Sequence, residues 1–323
     1  MPAHPRSPAP RGRPRRRRRP HVVVLGDLIL DIAAQLGRPV AAGSDTPGTI
    51  RFRQGGSAAN TARRLARLGV HTTFIGAVGR DRWAGPLTDA LRRDGVRLHI
   101  ARVAGPTARL VALIAPDGER SFVTDRAAAD GLTAAAVRPA WLRGADVLHV
   151  PAYSLLGGPV IEAVGRAVAL ARGEGARLSI DLASAAPLLA AGSTTMGRRI
   201  ADLAPDLLFG NLEEAAAMTG SRDGVALLEL APLVVVKAGP AGCLVLTRDG
   251  PGAPGLRVTV PARVRPAADT TGAGDAFDAG FLAAWTAAGA ADGLGEGDLR
   301  RAARAGHRAA QALLAEPRSE LRL

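Results

Sequence analysis

The chain carries the sequence DTTGAGDAF at residues 269–277, its most informative stretch. A loop of small residues runs directly into a predicted helix, so that backbone N–H groups at the helix N-terminus point outward. Such a terminus binds phosphate oxygens and stabilises the charge on a phosphoryl group in transfer. Gly272, Ala273 and Gly274 are predicted to form this anion hole, and the carboxylate of Asp275 would lie beside it as a proton acceptor. An ordinary glycine-rich turn, with Asp275 stabilised by the helix dipole, is the alternative interpretation.

Other phosphate-binding motifs are excluded. A Walker A loop needs a Gly-Lys pair, whereas the single lysine of the chain, Lys237, follows Val236. A dinucleotide fingerprint needs a third glycine where Phe277 stands, and it belongs near the first strand rather than late in the chain. The sequence therefore disfavours both a P-loop enzyme and a Rossmann dehydrogenase.

A second glycine motif, GGSAAN, occupies residues 55–60. Gly55 and Gly56 let a ligand approach the backbone, and Asn60 offers both a donor and an acceptor to sugar hydroxyls. The motif begins a predicted helix over residues 57–68, whose leucines and alanines face inward. A plain helix start with an exposed Asn60 is the alternative.

Two aspartates follow the apolar run Val22–Leu25, which is typical of a buried parallel strand. If the chain stays extended, the even spacing of Asp27 and Asp31 places both on one face. Carboxylates at the C-terminal end of a parallel strand are well placed to bind hydroxyl groups. One of the two, more readily Asp27, could instead serve as a turn or cap residue.

The remaining chain alternates between strands and helices, which indicates a mainly parallel sheet covered by helices. The predicted strands lie near 146–150, 177–181, 206–210 and 232–237, the helices between them near 159–172 and 184–202, two closing strands at 243–247 and 256–260, and two final helices at 273–288 and 298–315. Two β-rich runs, 109–115 and 120–124, flank Pro116-Asp117-Gly118, which predicts a hairpin in a small accessory sheet.

The composition excludes several classes of protein. One cysteine, Cys243, rules out a disulfide framework and a multi-thiolate metal site, and no export signal is present, so we expect a reducing cytoplasm. No apolar run is long enough for a membrane span. The net charge of +13 falls to +5 without residues 1–20, which contain eight arginines. This segment is predicted to be a disordered tail, because proline and like charges prevent packing, and no specific nucleic-acid partner is expected.

The two glycine motifs, over 200 residues apart and in this order, resemble the two signatures of the ribokinase-like (PfkB) carbohydrate kinase family. The resemblance covers the chain from residue 21 onward and implies a kinase domain over 21–323. The implied fold is an α/β, ribokinase-like three-layer sandwich with a mainly parallel central sheet. A small discontinuous β-sheet lid is expected at about residues 34–53 and 98–125, where its closure would exclude water from the acceptor.

The resemblance also implies roles for individual residues. It makes Asp275 the catalytic base and residues 272–274 the anion hole for the ATP phosphates. The implied substrate contacts are Asp27, Asp31, Gly55, Gly56 and Asn60. The implied nucleotide contacts are Asn211, Glu214, Lys237 and Gly239.

Asn211 and Glu214 fit the Asn-x-x-Glu motif of that family, which helps to organise Mg²⁺ and phosphate. Asn211 follows a predicted strand, and Glu214 lies in the first turn of a helix. Two oxygen-bearing side chains there suit a water shell around a hard cation. A solvated helix position is the alternative interpretation of Glu214.

The implied activity is transfer of the γ-phosphoryl group of ATP to a hydroxymethyl group of a small sugar. A nucleoside kinase of adenosine or pseudouridine type is the first alternative, and a non-catalytic fold relative is the second. A sugar is favoured because only 3% of residues are aromatic and a base needs an apolar or stacking wall, although Phe52 and Phe122 could provide one. A K⁺ requirement and pairing into a homodimer through the lid are also raised by the resemblance, and the sequence decides neither.

Two stretches depart from the family pattern. Many sugar-kinase members have Asp-Pro-Asn where this chain has Asp181-Leu182-Ala183, which weakens an assignment to the fructokinase or ketodeoxygluconate-kinase branches. Residues 265–268, Arg-Pro-Ala-Ala, replace the usual apolar strand before the anion-hole motif.

Overall fold

The structure is a computed structural model that describes residues 19–250, 253–263, 269–290, 294–317 and 319–321. The tail predicted over residues 1–20 lies outside the described residues except for its last two, and so does the departure at 265–268. Among the described helices, none combines the length and the apolar character that crossing a lipid bilayer requires.

Thirteen strands and eight α-helices make up the described chain. The strands are β1 (His21–Leu25), β2 (Ile29–Leu36), β3 (Gly48–Gly55), β4 (His71–Val78), β5 (Arg97–Arg102), β6 (Arg109–Ile114), β7 (Arg120–Asp125), β8 (Val147–Pro151), β9 (Arg177–Asp181), β10 (Leu207–Asn211), β11 (Leu233–Lys237), β12 (Cys243–Gly250) and β13 (Ala253–Val260). The helices are α1 (Ser57–Arg67), α2 (Ala84–Arg93), α3 (Val160–Gly173), α4 (Ala185–Ala191), α5 (Ser193–Leu203), α6 (Leu212–Thr219), α7 (Ala273–Ala287) and α8 (Glu296–Ala315).

Nine of these strands form one large sheet in the order β13-β12-β11-β10-β9-β8-β1-β4-β5. The strands from β11 to β5 are parallel, whereas β12 and β13 pair antiparallel at one edge. The apolar runs that predicted buried parallel strands are confirmed, because alternate residues of each strand pack on opposite faces of the sheet. The two predicted closing strands are also confirmed, and they pair antiparallel as β12 and β13.

Helices cover both faces of the large sheet, which gives the predicted three layers. Val22 and Val24 face a core that includes buried residues of α1, α2, α7 and α8. Val23 and Leu25 face a second core built with α3, α4, α5 and α6. The single helix predicted over 184–202 is two helices, because Gly192 adopts a left-handed φ of 85° between them.

A smaller sheet, called the lid sheet below, has the order β3-β2-β6-β7. The predicted hairpin corresponds to β6 and β7, which pair antiparallel. The predicted lid segments differ from these strands at both ends. Segment 34–53 omits the first half of β2, and segment 98–125 includes most of β5, which instead pairs with β4 at the edge of the large sheet.

The expectation that Asp27 and Asp31 extend the first strand is wrong. β1 ends at Leu25, the chain bends at Gly26, and Asp31 lies in β2 of the lid sheet. The bend is tight, since a Cβ on Gly26 would lie 2.7 Å from that of Ala58. Both aspartates nevertheless line the same cavity, which lies between the lid sheet and the carboxyl ends of the parallel strands.

Candidate active site

Helix α7 begins at the floor of this cavity without a side-chain cap. Gly272 precedes it with a φ of 74°, a conformation that glycine adopts without strain. The amide of Ala273 donates to the Thr270 carbonyl at 3.1 Å. The first N–H groups of a helix have no intrahelical acceptor, so the amides of Gly274 and Asp275 are available to an anion. A Cβ on Gly272 would lie 3.5 Å from Asn60 Nδ2, and one on Gly274 would lie 3.5 Å from Lys237 Nζ. The predicted anion hole therefore lies between these two polar side chains.

Asp275 occupies the first turn of α7 and is held by the GGSAAN helix. Ser57 Oγ donates to Asp275 Oδ1 at 2.7 Å, and Asn60 Nδ2 donates to Asp275 Oδ2 at 2.9 Å. Burial raises the pKa of Asp275 to about 6, although the hydrogen bonds from Asn60 and Ser57 act in the opposite direction. The two glycine motifs, distant in sequence, thus meet at one carboxylate, which accepts two hydrogen bonds in fixed orientation.

The pKa of Asp275 predicts an acid limb in the pH profile of kcat/KM. The carboxylate must be ionised to accept a proton, so kcat/KM should fall about tenfold per pH unit below pH 6 and level off above about pH 7. In Ser57→Ala the carboxylate loses a hydrogen bond that lowers its pKa, so the limb should move to higher pH. Steady-state kinetics between pH 5 and 8 would measure this, and an unmoved limb in Ser57→Ala would assign it to another group.

The predicted substrate contacts from the first glycine motif are packed closely around the start of α1. A Cβ on Gly56 would lie 2.5 Å from the carbonyl oxygen of Asp27, so only glycine fits there. Asp27 is buried, and its Oδ1 accepts from the amide of Ala58 at 3.1 Å. Asp27 therefore caps α1, as the alternative interpretation held. Asn60, which the alternative placed in solvent, is half-buried in the cavity wall.

Asn211 and Glu214 form a reciprocal capping box at the start of α6. The side chain of Asn211 accepts from the Glu214 amide at 2.9 Å, and Glu214 Oε2 accepts from the Asn211 amide at 2.8 Å. Asn211 Nδ2 also donates to Glu214 Oε1 at 2.7 Å. Glu214 is 3% exposed, so the solvated interpretation of this residue is wrong. Burial, followed by the charge of Asp181, raises the pKa of Glu214 to about 7.

A buried ion cluster that sequence reasoning missed lies beside the anion hole. Lys237 Nζ donates to Asp181 Oδ1 at 3.0 Å and to Asp278 at 3.1 Å. Burial alone would lower the pKa of Lys237, but the carboxylates of Asp181, Asp278 and Glu214 raise it, so the side chain is an ammonium. Burial and then Asp181 raise the pKa of Asp278 well above its usual range. The signals in sequence were the sole lysine of the chain and an aspartate in an otherwise apolar face of α7.

Two arginines of the lid sheet converge on Asp269, the first residue of the anion-hole motif. Arg53 Nη1 lies 3.1 Å from Asp269 Oδ2, and Arg120 Nη1 lies 3.0 Å from Asp269 Oδ1. Arg120 also donates to Thr271 Oγ1 at 2.6 Å. Because β3 and β7 are the two edge strands of the lid sheet, both of its edges are tied to the loop that precedes α7.

The cavity has a volume of about 1070 Å³, enough for a nucleotide together with a second small molecule. Every residue named in the sequence as a candidate contact lines it, and so do Asp181, Tyr153 and Ala183. Ala183, the last residue of the departure from Asp-Pro-Asn, has a left-handed φ of 66°. An alanine in this region is strained by about 1–2 kcal/mol, which asparagine tolerates better.

The comparisons with known proteins agree with this geometry. The pattern of the pfkB family of carbohydrate kinases matches residues 19–320. The chain belongs to this family. It is therefore a phosphotransferase that acts on an alcohol group, and ATP is the implied phosphoryl donor.

Individual PfkB relatives differ in the acceptor that their names give. The chain is 32% identical over 281 residues to probable fructokinase-7 of Arabidopsis thaliana, covering 81% of this chain and 77% of the relative. It is 31% identical to the ATP-dependent ribose-1-phosphate kinase of Halopiger xanaduensis, covering 87% of each. Among solved structures, adenosine kinase from Sinorhizobium meliloti superposes with a TM-score of 0.78 at 25% identity, covering 94% of this chain and 97% of the other. The PfkB fold is thus shared with kinases of free sugars, sugar phosphates and nucleosides.

Proposed function

We propose that the protein transfers the γ-phosphoryl group of ATP to a hydroxymethyl group on the sugar unit of a small acceptor. The observation that carries this proposal is the position of Asp275, beside the uncapped start of α7, with the side chains of Asn60 and Lys237 next to the same turn. A general base, an anion hole and two polar flanks are the parts that in-line phosphoryl transfer requires.

The chemistry follows from these parts. The acceptor oxygen forms a bond to the γ-phosphorus while the bond to the β,γ-bridging oxygen breaks, and ADP leaves with that electron pair. Asp275 takes the proton of the acceptor hydroxyl, and Ser57 and Asn60 hold its carboxylate in place. The amides of Gly272, Gly274 and Asp275 stabilise the charge that develops on the phosphoryl oxygens. Asp31 and Asn60 are proposed to bind other hydroxyls of the acceptor.

The nucleotide end of the cavity carries Asn211, Glu214, Lys237 and Gly239. Both Glu214 oxygens already accept hydrogen bonds from Asn211, and the described chain contains no cluster of three or more His, Cys, Asp or Glu groups suited to direct metal binding. This donor set fits Mg²⁺ that keeps its water shell, held through water by Asn211 and Glu214. When bound, the ion would neutralise phosphate charge.

The first test is ATP consumption by the purified full-length chain across a panel of sugars and nucleosides with Mg²⁺. The proposal expects acceptor-dependent ADP formation and a phosphorylated product in the same amount. Repeating the assay in sodium and in potassium buffer determines whether K⁺ is required. Folded protein that binds ATP and phosphorylates nothing in the panel would contradict the proposal.

A nucleoside acceptor is the second candidate, and Phe122 favours it. Of the two phenylalanines that could form a wall for a base, Phe52 stacks on Trp83 with ring centroids 5.1 Å apart and packs against the core. Phe122 instead lines the cavity. The low aromatic content of the chain favoured a sugar, because a base needs a stacking or apolar wall. A single ring in this position is enough to provide such a wall.

The ion pairs between the lid sheet and Asp269 predict a role in excluding water. In Asp269→Asn the ties to Arg53 and Arg120 weaken, so the KM of the acceptor should rise roughly fivefold, as two partly exposed pairs worth about 0.5 kcal/mol each imply. ATP hydrolysis without acceptor should rise as well, because water reaches the phosphoryl group more easily.

The matched control is Asp125→Asn, which removes a comparable lid pair, between Arg109 and Asp125, on the exposed surface. Steady-state kinetics and an ADP-release assay would give both values. Equal behaviour of the two variants would show that the Asp269 pairs have no special role.

We also propose that two chains associate through their lid sheets. Ile50 and Val123 are 64% and 65% exposed, and their register in β3 and β7 places them on the face opposite the cavity. Sedimentation of the wild type and of Val123→Glu tests this, since a dimer held by this face should dissociate in the variant.

A further inference from the structure

The cavity-facing side of the lid sheet is mostly apolar. Cross-strand pairing aligns Asp31 with Leu110, Ala33 with Ala112, and Ala112 with Phe122, so these side chains share one face. The apolar members of this face that line the cavity are Ile29, Ala33, Leu110, Ala112, Ile114 and Phe122. The polar members are Asp31, Arg53, Arg120 and Thr124. Asp31 lies between Ile29 and Ala33 in β2, and Arg120 and Thr124 flank Phe122 in β7.

Phe122 is the one large ring on this face, and it is poorly covered by the protein. Its partner across the β6–β7 pair is Ala112, whose methyl group leaves the ring uncovered, and the side chain is 54% exposed. Among the described residues no other aromatic ring stacks on it. A large apolar side chain exposed inside a concave site indicates a surface that a ligand covers.

The acceptor side of the cavity therefore has two parts of different chemistry. Asp31, Asn60 and Asp275 form a polar part that suits the hydroxyl groups of a sugar. The ring of Phe122, with Ala112 and Ala33 across the sheet, forms an apolar part whose own atoms cannot hydrogen-bond a sugar hydroxyl, while Arg120 and Thr124 flank the ring along β7. A free sugar would occupy only the polar part and leave the apolar part in water.

We propose that the acceptor is a nucleoside, whose pentose binds in the polar part and whose planar heteroaromatic base stacks on Phe122. This inference rests on the proposed kinase activity and assigns its acceptor class. A base fits because every base has a π-face, so purines and pyrimidines alike can stack on an aromatic side chain. The hydroxymethyl group of the pentose then lies toward Asp275, where the proposed transfer takes place.

The test compares kcat/KM for adenosine and uridine with that for ribose and fructose in the wild type, Phe122→Ala, Phe122→Trp and Ser121→Ala. Ser121 is the matched control, because it adjoins Phe122 in β7 but lies on the opposite face. We expect the wild type to prefer a nucleoside at least tenfold. Phe122→Ala should lower kcat/KM for that nucleoside about 5- to 100-fold, mostly through KM, which is the usual effect of removing a stacking partner.

Three further results are expected. Phe122→Trp should retain the nucleoside preference, Ser121→Ala should behave as the wild type, and turnover of ribose should change less than twofold in Phe122→Ala. A wild-type preference for a free sugar would overturn the inference, and so would equal losses for ribose and nucleoside in Phe122→Ala. If the wild type consumes no ATP with any acceptor, calorimetry of adenosine and uridine separates the two claims. If the wild type binds a nucleoside and Phe122→Ala binds it more weakly, the nucleoside site stands and only the kinase activity is overturned.

Discussion

Asp275→Asn should lower kcat by about 10²–10⁴-fold, the range typical of the loss of a general base. The amide has nearly the shape of the carboxylate, so the bonding partners Ser57 and Asn60 remain beside it. It cannot take the proton of the acceptor hydroxyl. KM for ATP should change little, because the amides of the anion hole and the nucleotide end of the cavity are unaltered.

The matched control is Asp298→Asn, the same substitution in the first turn of another helix, α8. That side chain pairs with Arg301, away from the cavity, so its loss should leave turnover unchanged. Unfolding curves for both variants confirm that the folded fraction is equal. Near-normal turnover in a well-folded Asp275→Asn protein would remove Asp275 from the role of base.

Lys237→Met should lower the free energy of unfolding by about 3–5 kcal/mol, because it leaves buried carboxylates without their cation. Asp181 and Asp278 are 3% and 0% exposed, so water cannot replace the ammonium. The lysine links three elements, because it lies in β11 and its partners lie in β9 and α7, so its removal affects the packing of all three. Urea unfolding without nucleotide measures the change.

A double variant distinguishes charge from packing. Lys237→Met combined with Asp278→Asn removes one of the uncompensated carboxylates, so it should recover a substantial part of the stability lost in Lys237→Met. Asp278→Asn alone is measured as well. If the stability losses of Lys237→Met and Asp278→Asn simply add in the double variant, or if Lys237→Met costs less than about 1 kcal/mol, the cluster is not held by buried charge.

The parts of the site that the sequence predicts are those that sit in contiguous motifs. The small residues before α7 and the start of α1 mark two helix N-termini by local chemistry alone, and the structure places both at one cavity. The meeting of Ser57 and Asn60 with Asp275 is a contact across more than 210 positions of sequence. The resemblance to a family with both motifs implied a shared site, but not these hydrogen bonds.

The features that sequence reasoning missed depend on which elements become neighbours. The ion cluster is formed by residues that each end or interrupt an apolar stretch, namely Asp181, Lys237 and Asp278. Their separations in sequence follow no motif that would predict their contact. The same limit explains the lid boundaries, because β5 and β6 are both short β-rich runs and only their pairing partners separate them. Residues 27–31 illustrate a further difficulty, since a tight bend at Gly26 ends one strand and the next begins within three residues.

The close packing of Gly56 has an evolutionary consequence. A side chain at this position would collide with the backbone of Asp27 before any ligand is considered, so selection for folding alone maintains the glycine. A descendant that lost phosphoryl transfer would keep Gly56 and remain recognisable by its first glycine motif. Under the proposed mechanism, replacement of Asp275 would instead be the mark of lost catalysis. In surveys of genomes, the first motif would therefore identify members of the fold, and Asp275 those that keep the proposed activity.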